Sequence, residues 1–479
     1  MRRLIIFPFL IIAFSGCMIG PNYFRPKIDT PVAWRFEVKE VRDLTNTAWW
    51  EQFNDAVLNQ LIQTALQENK DLRIATARVD EFLGQYGTTR SNLFPQMGAD
   101  ARAARERVTE KGYAPLSSSI DPIHRSYEGI ISASWEIDVW GRLRRSTEAA
   151  CAELLGSEEG RRTVILTLVT AVASSYIELR SLDRQLEIAK STATSREGSY
   201  KLFKMRFEQG IISELELSQV QSQYEEALAT IPAFEKFIAQ QEDALSILLG
   251  ENPRAIPRGK NIDQLVLPGV PAGVPSAVLE RRPDILQAEQ DLIAANARIG
   301  VARSQYFPTI SLTGYWGAAS AALNDLFSGP SHIWSYAVQS SVPIFTAGGI
   351  AGLVTSAKAV QQQTLYRYQQ VIQNAFREVD DALIDQQKTG ERLQAQARQV
   401  EALRTYARIA RLRFDEGYTS YIEVLDSERT LFNVELSYTQ THGDLFRALI
   451  NLYKAMGGGW ILEADRMITG TGTEKDKAQ

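Results

Sequence analysis

The chain has 479 residues, of which 44% are apolar, so burying a sizeable core presents no difficulty. Its formal net charge of -5 and the lack of any long basic run in the sequence argue against a nucleic-acid partner. With Cys17 and Cys151 as its two cysteines, the chain cannot be held together by a framework of disulfides.

The N-terminus has the layout of a secretory signal peptide. Two arginines precede an apolar run at residues 4–14, which is too short to span a bilayer, and two small residues follow it. Ordinary cleavage after Ser15 is one interpretation. The other is that residues 1–16 resemble a bacterial lipoprotein signal, which is cut before a cysteine so that Cys17 becomes the N-terminus and carries acyl chains. In that class of signal Met18, rather than an aspartate, implies export to the outer membrane.

The rest of the chain contains one unit that occurs twice. The stretch RFEQGIISELEL at 206–217 returns as RFDEGYTSYIEV at 413–424, and each copy also contains a Phe-Pro pair. Five prolines between the copies exclude a helix there and indicate a connector. The predicted organisation is a signal peptide at 1–16, a lipid-anchored N-terminal segment at 17–60, repeat 1 at 61–250, a Pro-rich connector at 251–275, repeat 2 at 276–460 and a flexible tail at 461–479.

Each repeat is predicted to contain a helix, two short strands, a very long helix and a shorter helix, in that order. The first helix ends before Phe-Pro because proline disfavours the helical conformation of the residue before it. The long helices contain no proline. In repeat 1 the strands are predicted at about 96–106 and 127–139, the long helix at about 142–209 and the shorter helix at 213–250. In repeat 2 the strands are predicted at about 309–316 and 334–345, the long helix at about 349–416 and the shorter helix at 420–456.

The strands are predicted from the alternation of apolar and polar residues. In the second strand Ile131, Ala133 and Trp135 share one face, while Ser132 and Ser134 share the other. Segments of about ten residues with this pattern, and with aromatic residues near their ends, are typical of tilted strands in a membrane barrel. The polar face that would line a lumen comprises Glu128, Ser132, Ser134, Glu136, Asp138, Ser335 and Gln339.

Four such strands in one chain predict an oligomer. A four-stranded sheet has two unpaired edges, and the membrane interior offers no water to satisfy the N–H and C=O groups of an edge. Two chains would give eight strands, a barrel whose interior is filled by side chains, whereas three chains give twelve strands around a lumen. The strand count therefore favours a trimer and leaves larger rings open.

Several motifs resemble those of the TolC/OprM type of outer-membrane factor, in the group of efflux lipoproteins associated with NodT and RND systems. They are CMIGPNYFRP at 17–26, with Asn22 where the family usually has Asp, the doubled Arg-Phe-x-x-Gly at 206–210 and 413–417, RRPDILQAE at 281–289 and YKAMGGGW at 453–460. The resemblance covers essentially the whole mature chain. It implies a mixed α and transmembrane β fold with internal duplication, in which each chain gives four strands to a trimeric twelve-stranded outer-membrane barrel, continued by a long periplasmic α-helical coiled-coil tunnel.

The resemblance also implies a function and partners. The chain would form a passive duct in the bacterial outer membrane that receives substrates from an inner-membrane transporter of the RND type through a periplasmic adaptor protein. Its one covalent group would be the lipid on Cys17. The three histidines are scattered and no nucleophile is found beside a base, so neither a metal site nor an enzyme is expected. The alternative function is a non-conducting, lipid-anchored periplasmic coiled-coil scaffold, which would account for the long helices but not for the strands.

In such channels the helix after the second Arg-Phe-x-x-Gly motif carries the periplasmic gate, and the matching positions are Ile422, Asp426 and Arg429. Independently of the family, their spacing by four and three places them on one face of a helix. Around a threefold axis three Asp426 carboxylates repel one another, Arg429 offsets that repulsion, and three Ile422 side chains form a dry collar. The alternative is a surface ion pair between Asp426 and Arg429, which contributes roughly a few tenths of a kcal/mol.

The glycines of the doubled motif, Gly210 and Gly417, are predicted to end the two long helices. They would lie at the tips of two helical hairpins that face the periplasm, with the neighbouring charged residues exposed. We expect these tips to dock the adaptor, and the alternative is that they are plain hairpin turns. The predicted docking residues are Arg206, Gly210, Arg413, Asp415, Glu416 and Gly417.

Overall fold

The computed structural model of the chain describes residues 18–31, 33–35, 48–109, 121–269, 275–457 and 460–461. The predicted signal peptide, Cys17 and the predicted tail beyond 461 lie outside the described residues. The helices are α1 (Ala56–Glu68), α2 (Lys70–Ser91), α3 (Arg142–Glu208), α4 (Glu214–Leu248), α5 (Pro275–Arg281), α6 (Pro283–Ser304), α7 (Gly349–Asp415) and α8 (Tyr421–Ala455). The strands are β1 (Gln96–Arg107), β2 (Ile123–Ile137), β3 (Thr309–Ser320) and β4 (His332–Ser341).

The two halves of the chain fold into the same series of elements. In each half a helix of 22 residues (α2, α6) precedes two strands, a helix of 67 residues (α3, α7) follows them and a helix of 35 residues (α4, α8) comes next. The absence of proline from α3 and α7 permits their length, because a proline would remove a backbone hydrogen bond and clash with the preceding turn. The duplication in sequence is therefore also a duplication in structure.

The four strands form one antiparallel sheet in the order β1-β2-β3-β4. Strands β2 and β3 pair with each other, so the sheet joins the two halves of the chain and leaves β1 and β4 as its edges. The register places Ala99 opposite Ile131, Ile131 opposite Trp316 and Trp316 opposite Trp334. One face is thus apolar across all four strands, because residues directly opposite each other project from the same side of a sheet.

The other face of the sheet is mainly polar. Ser132 lies opposite Tyr315, which in turn lies opposite Ser335. On the same face, nearer the end where β1 and β2 are joined, Arg102 lies opposite Glu128. Pairing across strands therefore unites the polar residues that the sequence assigns to a common face.

Asp138 does not belong to this polar face, contrary to the prediction. Strand β2 ends at Ile137, and the carboxylate of Asp138 accepts hydrogen bonds from the backbone N–H groups of Leu143 (3.0 Å) and Arg144 (2.9 Å). A carboxylate here satisfies N–H groups that the start of α3 leaves without helical partners, and it interacts favourably with the helix dipole. The strand stops where this helix cap begins.

Other strand bounds also differ from the prediction, and β2 begins at Ile123 rather than at about 127. Strand β4 ends at Ser341 because Pro343 has no N–H to give to the sheet. Strand β3 continues to Ser320. Its last residues are all small, so they show no alternation of large apolar and polar side chains. A Cβ added at Gly317 would lie 2.7 Å from the Cα of Ile130 on β2, so glycine permits the close approach of these two strands.

The helix predicted before the first Phe-Pro is α2, and a further helix, α1, precedes it. Asn69 separates α1 from α2 because its backbone leaves the helical conformation (ψ 132°), and its side chain bonds to α2 and to the end of α4. Its Oδ1 accepts a hydrogen bond from the N–H of Leu72 at 2.9 Å, and its Nδ2 donates to the carbonyl of Leu248 at 2.9 Å. Since α1 begins at Ala56, the boundary predicted between 60 and 61 falls inside that helix.

The chain divides into two compact units, and neither coincides with a repeat. The first contains the described residues up to Lys27 together with Arg78–Ser157 and Gln287–Tyr368, and therefore contains the whole sheet. The second contains the described parts of Ile28–Ala77, Glu158–Leu286 and the chain from Gln369 onward. Each unit takes segments from both repeats. The repeat is thus a unit of sequence, whereas packing is organised across the two copies.

Of the described helices, α3 is the one that is long and apolar enough to cross a membrane by length and composition alone. However, 56% of its apolar stretch is buried within the protein. A core helix meets the same criterion, since burial in a protein and burial in a lipid bilayer both select apolar side chains.

In the second unit a buried arginine joins the start of α6 to the end of α8. The side chain of Arg282 is 8% exposed and donates to Asp284 and Glu378, each at 2.7 Å, and to the carbonyl of Ala455 at 3.1 Å. Burial alone lowers the pKa of Arg282, but Asp284 and then Glu378 more than offset this and hold the pKa above its usual value. Gly457 packs against this side chain, where a Cβ would lie 2.9 Å from Cγ of Arg282. The RRPD motif and the glycine-rich motif thus form one packing site.

Candidate gate and hairpin tips

The three residues of the predicted gate lie on an exposed face of the first turns of α8. Ile422 is 59% exposed. Arg429 Nη2 donates to Asp426 Oδ1 at 2.8 Å, and these side chains are 51% and 52% exposed. The structure thus brings the carboxylate and the guanidinium together, with Ile422 one turn earlier. Within one chain this geometry agrees with both interpretations, because a plain helix surface also carries pairs at this spacing.

The opposite face of these turns is fixed by packing. Tyr421, Val424 and Leu425 are buried against Phe203 of α3 and Ala410 of α7. The rings of Phe203 and Tyr421 have their centroids 4.1 Å apart. Because the apolar stripe of the helix is buried, the residues between its members must face outward. The residues of the predicted gate are therefore held outward by the packing behind them.

Behind the residues of the predicted gate lies a charged network that the sequence prediction missed. Arg411 of α7 lies 3.9 Å from the carboxylate of Glu428 and donates to the hydroxyl of Tyr421 at 3.3 Å. Arg196 of α3, with a side chain 4% exposed, lies 3.2 Å from Glu226 of α4. Burial raises the pKa of Glu428 and lowers the pKa of Arg196, against the opposite charges around each group. These groups come from four helices, so no local spacing in the sequence could have signalled them.

The doubled Arg-Phe-x-x-Gly motif is a helix-ending device. Gly210 and Gly417 follow α3 and α7 in the left-handed conformation, with φ of 71° and 79°. The N–H of Gly210 donates to the carbonyl of Phe207 at 2.8 Å, and the N–H of Ile211 donates to the carbonyl of Arg206 at 2.9 Å. Equivalent bonds of 2.9 and 2.7 Å close α7. This is the Schellman arrangement, which favours glycine because a Cβ strains a left-handed backbone.

The charged residues at the tips differ in exposure. Arg413, Asp415 and Glu416 are exposed, whereas Arg206, also expected to be exposed, is half-buried. The reason is that its guanidinium lies 5.9 Å from the centre of the Phe203 ring, whose face attracts a cation. Arg413 remains 53% exposed although it lies 3.6 Å from the carboxylate of Glu423.

The tips also expose large apolar side chains, which the prediction from charges did not include. Ile211 and Leu215 in the first hairpin are 65% and 68% exposed, and Tyr418 in the second is 77% exposed. Exposed apolar groups with charged neighbours are a feature of surfaces that contact another protein. The tips therefore offer both kinds of contact.

The segment at residues 18–26 is fastened to the first unit. The buried Arg145 donates to the side-chain oxygen of Asn22 at 2.8 Å. Gly20 has a φ of 110°, and a Cβ at this position would lie 2.5 Å from the Cα of Gly300. The Gly-Pro-Asn-Tyr motif is thus held by close backbone packing and by a buried arginine.

The sequence matches the profile of the outer membrane efflux protein family over residues 61–251 and 274–458, which is more than half of the chain. The chain belongs to this family. The two matched stretches of this outer membrane efflux protein lie on either side of residues 252–273, a range within the predicted connector.

Individual relatives agree over nearly the whole length. The chain is 34% identical to the probable efflux pump outer membrane protein TtgC of Pseudomonas putida KT2440 over 453 residues, 93% of each chain. It is 34% identical to the cation efflux system protein CusC of Escherichia coli O157:H7 over 465 residues, 95% of this chain and 98% of CusC. Its fold is similar to the open state of the Neisseria gonorrhoeae MtrE outer membrane channel, with a TM-score of 0.83, 29% identity and coverage of 93% and 99%.

These findings confirm the family, the fold class and the outer-membrane location expected from the sequence. Channels of this fold class have mixed helices and strands, four strands per chain and repeated halves, as this outer membrane efflux protein does. The expected function is confirmed as well. The protein is an outer-membrane channel of an efflux system.

Proposed function

We propose that three copies of this outer membrane efflux protein form one passive duct. The observation that carries the proposal is a sheet with one apolar face, one polar face and two unpaired edges, β1 and β4. In a bilayer each unsatisfied N–H or C=O group at a strand edge raises the free energy by several kcal/mol. Pairing β1 of one copy with β4 of the next removes these edges. Three copies then close twelve strands around a lumen that side chains do not fill.

In this duct the polar face of the sheet lines the lumen and the apolar face contacts lipid. Solutes cross by diffusion along a wetted wall that includes Ser132, Ser335 and the opposed Arg102 and Glu128. The proposal assigns no bond-making step, no catalytic residue and no cofactor to this chain. The role proposed for the chain is to maintain a closed ring of strands around a water-filled lumen.

Oligomeric state and conductance distinguish the duct from a lipid-anchored scaffold. Protein extracted from outer membranes in detergent should migrate as a trimer that resists dissociation until heated. In a planar lipid bilayer it should produce discrete current steps. A monomer that leaves the bilayer current unchanged would favour the scaffold instead.

We also propose that the duct works with a periplasmic adaptor and an inner-membrane transporter of the RND type. Relatives such as TtgC are named as outer membrane proteins of efflux pumps, which is the setting such an assembly requires. The two hairpin tips, which contain Arg206, Gly210, Arg413, Asp415, Glu416 and Gly417, are the proposed adaptor site. Their mixture of exposed charges and exposed apolar side chains supports this assignment.

Charge reversal at the tips should weaken adaptor binding. The double variant Arg206→Glu plus Arg413→Glu is expected to lower adaptor affinity at least about tenfold, because like charges brought together at an interface are costly. Site-specific crosslinking to the adaptor measures this loss. The matched control is Arg404→Glu, since Arg404 also lies on α7, is 56% exposed and is 2.8 Å from Glu435. Equal crosslinking in wild type and the double variant would show that the tips are not the docking site.

We propose that Cys17 carries the lipid that anchors the chain. The fastening of residues 18–26 by Arg145 and Gly300 supports a fixed attachment point immediately before them. Each buried methylene of an acyl chain adds about 0.8 kcal/mol of membrane affinity. Radiolabelled palmitate should therefore enter the wild-type protein and not Cys17→Ser. Label retained in the Cys17→Ser variant would place the anchor elsewhere.

A further inference from the structure

Three arginines lie together at the outer end of the β1–β2 pair, on the apolar side of the sheet. Arg105 lies directly opposite Arg125, and Arg107 lies opposite Ile123. All three arginines are exposed. They share a face with Ala103 and Tyr127, the next pair along the strands, because side chains alternate in direction along a strand. This face would contact lipid, so arginines on it call for an explanation.

Their height on the barrel provides one. From Ile137 to Tyr127 the lipid-facing rows span about ten residues, roughly 34 Å along a strand at about 3.4 Å per residue. At a tilt of about 35–45° this corresponds to a height of roughly 26 Å, close to the apolar band of about 25 Å in outer-membrane barrels. The Arg105–Arg125 row is the next one beyond Tyr127. It therefore lies where hydrocarbon ends and headgroups begin.

This end of the strands faces the cell exterior. The other ends of all four strands continue into the helices α2, α3, α6 and α7, which belong to the periplasmic part of such channels. The headgroups beside Arg105 and Arg125 are consequently those of the outer leaflet.

The charge of this row is not neutralised by the described residues. Neither Arg105 nor Arg125 makes an ion pair with any of them, and like charges directly opposite each other destabilise a sheet. Glu106 projects from the other face, where it lies 3.1 Å from Arg102. Asp121 uses a carboxylate oxygen to accept the N–H of Ile123 at 2.9 Å. The row is thus a pair of exposed guanidinium groups that no described residue neutralises and that a bound anion would stabilise.

We propose that Arg105 and Arg125, flanked by Arg107, bind phosphate groups of lipid headgroups in the outer leaflet. Guanidinium groups are weakly hydrated and match the oxygens of phosphate in a bidentate manner, so arginine suits this ligand. The proposal adds a lipid site to the rim of the duct. It is independent of conductance, of the gate and of adaptor docking.

Native mass spectrometry of the detergent-solubilised protein tests the proposal, with diphosphoryl lipid A as the probe. The variant Arg105→Ala plus Arg125→Ala is expected to bind this lipid roughly 25-fold more weakly, since each arginine near an anionic membrane surface contributes roughly a fivefold gain. Lipid A stripped of its phosphates should bind wild type about as weakly as the intact lipid binds the variant. The matched control is Arg102→Ala, which removes an exposed arginine from the other face of the same strand and should leave lipid binding unchanged.

A conservative double variant distinguishes the effect of losing the positive charge from the effect of disturbing the fold. Arg105→Lys plus Arg125→Lys should retain most of the binding because the positive charge remains, and both double variants should keep the same oligomeric state as wild type. Several results would overturn the proposal. They are undiminished lipid binding by the alanine double variant, an equal loss in Arg102→Ala, and equal binding of the phosphate-free lipid. Displacement of the lipid by the same concentration of inorganic phosphate would also overturn it, because the site would then recognise a free ion rather than a membrane lipid.

Discussion

Replacing Arg282 with alanine is expected to lower the free energy of unfolding by about 1.5–3 kcal/mol, the range typical of a hydrogen bond to a charged group. The side chain of Arg282 is 8% exposed, but Asp284 and Glu378 are 33% and 44% exposed, so solvent screens part of these interactions. The substitution leaves two carboxylates and the carbonyl of Ala455 without this donor. It also opens a space beside Gly457. Urea unfolding followed by circular dichroism at 222 nm measures the loss.

The neighbouring arginine supplies the control for this experiment. Arg281 is exposed, so Arg281→Ala is expected to change the free energy of unfolding by no more than about 0.5 kcal/mol. Arg282→Lys should fall between the two, because lysine keeps the charge but cannot form the forked contacts of a guanidinium. If the two alanine variants lose the same amount of stability, the contacts of Arg282 do not hold this junction together.

Removing Asp426 and Arg429, the charged pair of the predicted gate, is expected to produce the largest change in function. In Asp426→Ala plus Arg429→Ala, the single-channel conductance of the resting duct should rise severalfold. The expectation rests on the predicted gate, in which three copies of the pair meet around a common axis, in a constriction where low dielectric strengthens each interaction. Ile422→Ala should also raise conductance, because a wider and less apolar collar is easier to wet. Planar-bilayer recordings at fixed voltage and salt measure both effects.

The chain contains a closely matched control for the gate variant. Lys388 and Glu391 on α7 also form an exposed pair three residues apart, with 2.9 Å between the charged groups and side chains 58% and 55% exposed. Lys388→Ala plus Glu391→Ala should therefore leave conductance unchanged. If Asp426 and Arg429 are no more than a surface pair, the two double variants will behave alike, with an unfolding free energy changed by roughly a few tenths of a kcal/mol. Unchanged conductance in the variant Asp426→Ala plus Arg429→Ala would show that these residues do not form the gate.

The packing of α8 explains why the residues of the predicted gate can be replaced without unfolding the protein. The buried stripe of α8, with Tyr421 and Val424, and the network of Arg411 and Glu428 hold the helix from behind. The side chains of Ile422, Asp426 and Arg429 do not belong to that core. Alanine at 426 and 429 should consequently alter the lumen without unfolding the helix.

The sequence by itself determined the elements and the faces of this protein. Alternation along β2 distinguished the side of Ile131 from the side of Ser132, because side-chain direction in a strand repeats every two residues. Long stretches without proline identified α3 and α7. Gly210 and Gly417 indicated where these helices end. All of these signals are local, since each depends on the conformational preferences of a few neighbouring residues.

The structure corrected two local interpretations of the sequence, and only the tertiary structure decided how buried charges far apart in the chain pair. Asp138 leaves the polar face because it caps a helix, and Arg206 is half-buried because Phe203 lies beneath it. Arg282 bonds to Glu378, 96 residues away. No periodicity links Arg282 with Glu378, because their interaction requires the chain to bring distant segments together. The spacing of residues along a chain sets which way each side chain points, and packing alone sets what it meets there.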